Sequence, residues 1–425
     1  MKNNMINSYF KKTKDALFEL NYFEKFLITF PVFAIIGTFA LNLFYLILAI
    51  LFIRSLKSID NRNLYKKYFL LCFFPFLIIL ISYLFSDYKN SLSLTRTIFS
   101  FKFFLIPLIF LVFVKNKNFF YLIGQLSYFL LIFLSTDVIF QYIFGFDFFG
   151  FEPTFPNRYS GFFDEELIAG AYLSTFFLFA AIYSFFKFNL IKFIPFFILI
   201  FFAVVITGER LALLKIIYLS SFIILFLIKG FKNKLIITSI ILLTISISFY
   251  KIQSFKTRIY ESLFFFGNTQ ITKFDKSYKN VKSKTFLDSP WVSHWMAAAE
   301  IFSDHPVFGV GLKNFRVVCL KEKYAKKNSI SNNSCTTHPH NIYMEIVSEL
   351  GTVGLFTLLF YVYLLFRKII LLYKKFNDPG ISLFIAYNIF LLVPFLPSGS
   401  IFSSYYGGIL FFYISSSLAY FKITK

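Results

Sequence analysis

The chain has 425 residues, 58% of them hydrophobic and 23% aromatic, and a mean hydropathy of +0.70, which excludes a water-soluble domain of this length. Its formal net charge is +22, but much of the Lys and Arg lies in short loops between apolar runs, the positive-inside pattern of a membrane protein and not a nucleic-acid footprint. The expected class is therefore all-α: a polytopic membrane protein with membrane lipid as a partner and no nucleic acid.

Residues 1–21 are polar and lysine-bearing, with no apolar h-region or small-residue cleavage site, and read as a cytoplasmic tail. Residues 26–53 are too long for one comfortable span, and Gly37 and Asn42 near the middle predict two short helices with a tight turn between them. The next loop carries Arg54, Lys57, Arg62, Lys66 and Lys67 and belongs inside. Residues 68–85 cross outward, 97–114 return to Lys115 and Lys117, and 119–144 cross outward again. The loop 145–166 holds Asp147, Glu152, Asp164, Glu165 and Glu166 against Arg158, and reads as an acidic, largely solvated outer loop.

Spans at 167–186, 193–206, 211–228 and 235–250 follow, and then a long polar segment from 251 to 350. Three more runs, at 352–373, 381–396 and 409–421, complete about twelve spans of the roughly 20 residues a helix needs to cross a bilayer. On this count every strongly basic short loop falls on one side. The acidic loop and the long segment fall on the other, and long loops translocate whatever their charge. The expected organisation is a transmembrane bundle over 1–250 with about nine spans, a periplasmic loop domain over 251–350, and about three spans over 351–425. The apolar runs are almost free of charge at their centres, and the candidate residues cluster at one face, which favours surface chemistry over transport.

The polar segment begins with 251–288, rich in Lys, Ser and Asn. Residues 291–302 are a better helix, with Trp295, Ala298, Ala299 and Phe302 as an apolar stripe and His294 beside it. His305-Pro306 opens a turn with Gly309 and Gly311, followed by Asn314 and Arg316. His305, next to proline, is expected to be structural. Cys319 and Cys335 face an oxidising compartment on this topology. That favours a disulfide over the rival metal site of Cys319, Cys335, His338 and His340, and no metal or other cofactor is expected. Cys72, inside an apolar run, is expected to be a packed thiol.

The segment ends at His338-Pro339-His340-Asn341. Asn341 is a suitable N-cap, and Tyr343, Ile346, Val347 and Leu350 follow at helical spacing, until Gly351 and Gly354 break or thin the helix. A helix N-terminus favours the neutral imidazole that a general base needs. His340, which leads into the helix, is the preferred base over His338. Arg210 opens another helix on the same predicted side, after Thr207 and Gly208. It is either an interfacial anchor or, with the helix N-terminus, a pyrophosphate site. Arg158, beside Tyr159-Ser160-Gly161, is a further candidate contact. No Walker loop, dinucleotide fingerprint or HExxH is present.

These residues resemble the bacterial O-antigen ligase and O-antigen polymerase superfamily. His340-Asn341 followed by Glu349-Leu350-Gly351 and Gly354 is similar to its histidine motif, ahead of the last three spans. Thr207-Gly208-Glu209-Arg210-Leu211-Ala212 resembles its arginine-bearing helix start. Trp295 through His305-Pro306, Gly309 and Gly311 is similar to its periplasmic helix and turn, and Arg158-Tyr159-Ser160-Gly161-Phe162 resembles the stretch before its sixth span.

The resemblance implies a GT-C-like inner-membrane enzyme, an inverting and metal-independent glycosyltransferase with its active site facing the periplasm. The donor would be a glycan on undecaprenyl pyrophosphate, and the acceptor a lipid A-core or glycan hydroxyl. His340 would take the acceptor proton and Arg210 would hold the pyrophosphate, with Arg158, His338, Asn341, His294 and Arg316 around the substrate. Where family members often carry a second arginine, four residues before the tryptophan, this chain has Trp291. Either His294, Arg316, Lys282 or Lys284 substitutes, or the donor is held differently. Ligase is preferred to polymerase, and a transporter of lipid-linked sugars is the reading from another class.

Overall fold

The computed structural model describes residues 13–58, 62–155, 158–187, 190–252, 256, 290–324, 335–375 and 377–424. Lys282 and Lys284 lie outside them. Among the described residues the chain is helical, with one isolated bridge between Phe155 and Arg158.

The break predicted near Gly37 and Asn42 falls at Gly37 alone, which adopts φ 113°. Two short helices precede it, α1 (Tyr22–Ile28) and α2 (Phe30–Ile36), and α3 (Thr38–Ser55) runs through Asn42 without interruption. Asn42 does not end the helix because its side chain accepts hydrogen bonds from Lys102 and Ser404 and leaves the backbone alone. Then come α4 (Arg62–Phe85), the consecutive α5 (Ser91–Phe99) and α6 (Phe101–Phe113), α7 (Asn118–Phe144), α8 (Ala169–Lys187), α9 (Leu190–Thr207), α10 (Arg210–Phe222, continued by a π turn) and α11 (Phe231–Lys251). After the undescribed stretch come α12 (Pro290–Asp304), the short α13 (Phe315–Val318), α14 (Ile342–Leu371), α15 (Pro379–Leu391) and α16 (Tyr406–Ile423).

Among the described residues, 7 helical stretches are long and apolar enough to cross a membrane, and the shorter apolar helices 169–185, 193–207 and 379–391 add to them. A polytopic helical bundle is thus the architecture, with fewer full-length spans than the twelve expected. Helices in lipid gain little from the hydrophobic effect between themselves, so close approach through small residues matters. Gly124 on α7 supplies it. A Cβ there would sit 2.6 Å from the carbonyl oxygen of Phe179, so α8 lies directly on the backbone of α7. Phenylalanine fills the remaining volume, as in the stacked pair Phe30 and Phe412, with ring centroids 3.8 Å apart.

Charge is not confined to the helix ends, as the sequence suggested. Asp137, Lys215, Glu345 and Glu349 are buried within α7, α10 and α14. Each has an internal partner, which is how an ionisable group is tolerated at that depth.

Residues 290–324 form a layer packed on the start of α14 and the end of α4. The buried face of α12 is Val292, His294, Ala297, Ala298 and Ile301, so the apolar stripe is rotated from the one expected. Ala299 is exposed and Trp295 only half-buried, because α12 lies on α14 and turns His294 inward.

Candidate active site

The layer is joined to α14 by an exchange of backbone hydrogen bonds. Gly351 has φ 66° and ψ −161°, a conformation open to glycine only. This breaks the helix, and the amides of Thr352 and Val353 turn to the carbonyls of Pro306 and Val307, at 2.8 and 3.3 Å. The helical acceptors so vacated, Ser348 and Glu349, receive the amides of Val310 and Gly311 at 3.0 and 2.9 Å. The two amides and two carbonyls freed by the break are thus paired again. A Cβ on Gly351 would run into the carbonyl of Val307, and one on Gly309 would lie 2.6 Å from that of Glu349. Ser82 and Ser86 at the end of α4 fasten the same turn by donating to the carbonyls of Phe308 and Val310, at 2.6 and 2.5 Å. His305 packs edge-on against Tyr88 and lies 3.4 Å from Asp87, in the structural role expected of it.

Asn341 caps α14 as expected, accepting from the amides of Tyr343 and Met344 at 3.0 and 3.1 Å. Its own amide group donates to Pro394 at 2.6 Å, Tyr343 donates to Leu392 at 2.7 Å, and Ser398 N–H donates to the carbonyl of His340 at 2.8 Å. The turn after α15 is thereby fixed against the start of α14. His340 is held with φ 54°, a left-handed conformation rare for a residue with a Cβ.

Glu345, one turn into α14, is fully buried. It pairs with Lys313 at 2.8 Å, accepts from Ser400 and takes the amide of Ile401 at 2.9 Å. That carboxylate ties together the external layer, α14 and the turn before α16.

The rings of His338 and His340 lie 4.1 Å apart, centroid to centroid, and His294 from α12 comes within 5.7 Å of His340. Burial, followed by the neighbouring imidazoles of His338 and His294, lowers the His340 pKa to about 4, so its ring is neutral at neutral pH. Burial also lowers that of His338, despite the opposing field of Glu345. Arg316 is near enough to act in the same direction on His338, which places it beside the cluster. Cys319 and Cys335 form a disulfide with Cα atoms 5.2 Å apart, anchoring the chain three residues ahead of His338.

Arg210 begins α10, as read from the sequence. Glu209 precedes it but does not cap that helix. Its carboxylate instead accepts the amides of Gly170 and Ala171, at 2.6 and 2.9 Å, at the start of α8. Burial raises its pKa to about 7 against the opposing pull of those amides and of Arg158 and Lys215. Arg158 therefore shares the neighbourhood of Glu209. Lys215 donates to Thr175 at 2.9 Å and lies 5.6 Å from the centre of the Tyr387 ring.

A cavity of about 220 Å³ borders both regions, although neither Arg210 nor His340 lines it. It is lined by Glu209 and Leu211, on either side of Arg210, and by Lys215, Asn341, Ser398 and Tyr405 among others. The hydroxyl of Tyr405 and the Oε2 of Glu349 are buried and have no hydrogen-bond partner.

Sequence reasoning found the histidines, the cap and Arg210. It passed over Glu209, Lys215, Lys313, Glu345 and the turn 392–405. A lysine inside an apolar run, and two carboxylates one turn apart just inside another, were the available signals. The first residues of that turn, 392–396, were taken as the tail of a span, although Pro394, Pro397 and Gly399 mark a turn.

A family model described as O-antigen ligase matches residues 195–359, a stretch that holds Arg210, α12 and the histidine cluster. No curated protein matches the chain.

Proposed function

Because the chain belongs to the O-antigen ligase superfamily, with an activity of the ligase or polymerase type, we propose that it moves a glycan from undecaprenyl pyrophosphate to a sugar hydroxyl of lipid A-core. In this reading His340 takes the proton of the acceptor hydroxyl, that oxygen attacks the anomeric carbon with inversion, and the lipid pyrophosphate leaves. Arg210, at the start of α10, holds the pyrophosphate and offsets the charge that develops on it. Arg158 and Lys215 add positive charge beside Glu209. His338 and His294 keep the base neutral, and Arg316 stands where a second cation is needed. The chemistry requires no metal in this account, since the proton and the leaving-group charge are both met by side chains.

The observation that carries the proposal is the shared cavity. Residues flanking Arg210 and the residue next to His340, far apart in the chain, line the same space. That space is far too small for a glycan. It suits the reacting end of the donor, while the bulk of both substrates stays outside.

The test is deletion of the gene followed by complementation and gel analysis of lipopolysaccharide. Polymer accumulating on the lipid carrier identifies a ligase, and cores capped by a single repeat identify the polymerase alternative. His340→Ala is expected to abolish transfer in complementation while the protein still inserts. Wild-type banding would remove His340 as the base.

A further inference from the structure

The loop between α7 and α8 carries a surface that the sequence did not suggest. It reads as acidic, yet Asp147 is buried, and Phe146, Phe148, Phe149, Phe151 and Phe155 point outward in its first half, with Glu152 and Thr154 exposed among them. Phe149 is 65% exposed and the other four between 44% and 46%. The patch continues the exposed face of α7, where Ile143 and Phe144 are 63% and 58% exposed on a helix long and apolar enough to span a bilayer.

Irregular backbone is excluded from lipid when its amides and carbonyls lack partners. Here the amides of Gly145 and of residues 147–151 are met from within. Asp147 accepts the amides of Phe149 and Phe151, at 2.9 and 2.8 Å, and Asp137 on α7 accepts those of Phe148 and Phe162, both at 2.8 Å. The amides of Gly145, Asp147 and Gly150 go to the carbonyls of Gln141, Phe151 and Asp147. Gln141 donates to the Phe151 carbonyl at 3.1 Å and accepts the amide of Gly161 at 2.9 Å. Apart from the exposed Glu152 and Thr154, the loop thus turns its backbone amides inward on two buried aspartates and its aromatic rings outward. A loop facing water would have the opposite arrangement.

We propose that residues 145–155 form a rigid aromatic wedge seated in the bilayer leaflet at the active-site end of the bundle, with the lipid interface itself as the partner. The wedge adjoins Arg158 and the start of α8, so it fixes the depth of that side of the site relative to the lipid. The proposal stands independently of the reaction assigned above.

Spin labelling tests it in the full-length protein. Phe146→Cys and Phe149→Cys are each made on a Cys72→Ser background with the Cys319–Cys335 bond intact, labelled with a nitroxide, and reconstituted in phosphatidylethanolamine–phosphatidylglycerol vesicles. Phe356→Cys on α14 serves as the lipid-facing reference and Leu320→Cys in the external layer as the water-facing one. The expected result is oxygen accessibility several-fold above nickel-chelate accessibility at 146 and 149, as at 356. Nickel-chelate access matching that at 320 overturns the proposal. So do immobilised labels shielded from both relaxants, which would mean protein covers the patch. Either position decides the matter if the other variant fails to insert.

Discussion

At the scale of single residues, the site is governed by where charge is withheld. His340 is kept neutral by burial and by two neighbouring imidazoles, with a pKa of about 4 against an ordinary value near 6.5. A base works only when unprotonated, so activity carried by His340 is lost as pH falls through about 4 and not through 6.5. A plot of kcat/KM against pH in reconstituted transfer should therefore be flat through the usual histidine range on its acid side. Glu209, with its pKa near 7, does titrate in that range. An inflection near neutrality that disappears in Glu209→Gln would belong to it. Arg210→Ala is expected to lower transfer by about 10²–10³-fold, as loss of one charge-stabilising donor does elsewhere. Arg210→Lys should recover only part, because an ammonium lacks the planar fork that grips a phosphate. Full activity in Arg210→Ala, measured by the same transfer assay, would remove it from the site.

Local residue chemistry was legible in the sequence where a single side chain announced it. Asn341 before an apolar periodicity gave the cap, and Arg210 after Thr207-Gly208 gave a helix start. Lys313 and Glu345 gave no such sign, because 32 residues separate the two halves of one buried pair. A lone lysine in a polar segment looks solvated until the fold closes over it.

At the scale of elements, the important event is the interruption of α14. The sequence marks Gly351 as a break, but not what the break is for, since the partner turn of Pro306 to Gly311 is distant in sequence and bonds through its own backbone groups. Gly351→Ala places a side chain in a conformation costing about 1–3 kcal/mol and drives it into the Val307 carbonyl. A lowered melting temperature of the purified protein in detergent is expected, with greater loss of transfer than of insertion. Gly354→Ala is not a neutral control, since a Cβ there meets Leu350 of its own helix. Gly230, with only Asn233 within 4 Å, has the space but a positive φ of 81°. Gly351→Ala is therefore best compared with substitutions at Thr352, whose side chain is exposed in its bond to Pro306.

On the scale of the whole molecule, composition was enough for the class, a helical chain with several helices apolar enough to span a membrane. It did not foretell that α5 and α6 would be two pieces, or that the acidic outer loop would show phenylalanine to its surroundings. Period and polarity report which residues tend to be buried, not which neighbour buries them. The topology itself has a direct test. With an impermeant thiol reagent on intact spheroplasts, Glu165→Cys should label at once, and Asn116→Cys only after permeabilisation. Reversal of that order would invert the orientation and move the histidines to the cytoplasm.

The seam between the 306–311 turn and α14 has one more implication. Four of its bonds run main chain to main chain, and the hydroxyls of Thr352, Ser82 and Ser86 also end on main-chain carbonyls of the turn, so apart from the glycines these bonds make no demand on the turn's own side chains. Val307 is half exposed to its surroundings even though its carbonyl is engaged. The outward surface of the layer is thus free to be rewritten for a different acceptor without loosening its attachment, so recognition and anchorage are separately adjustable.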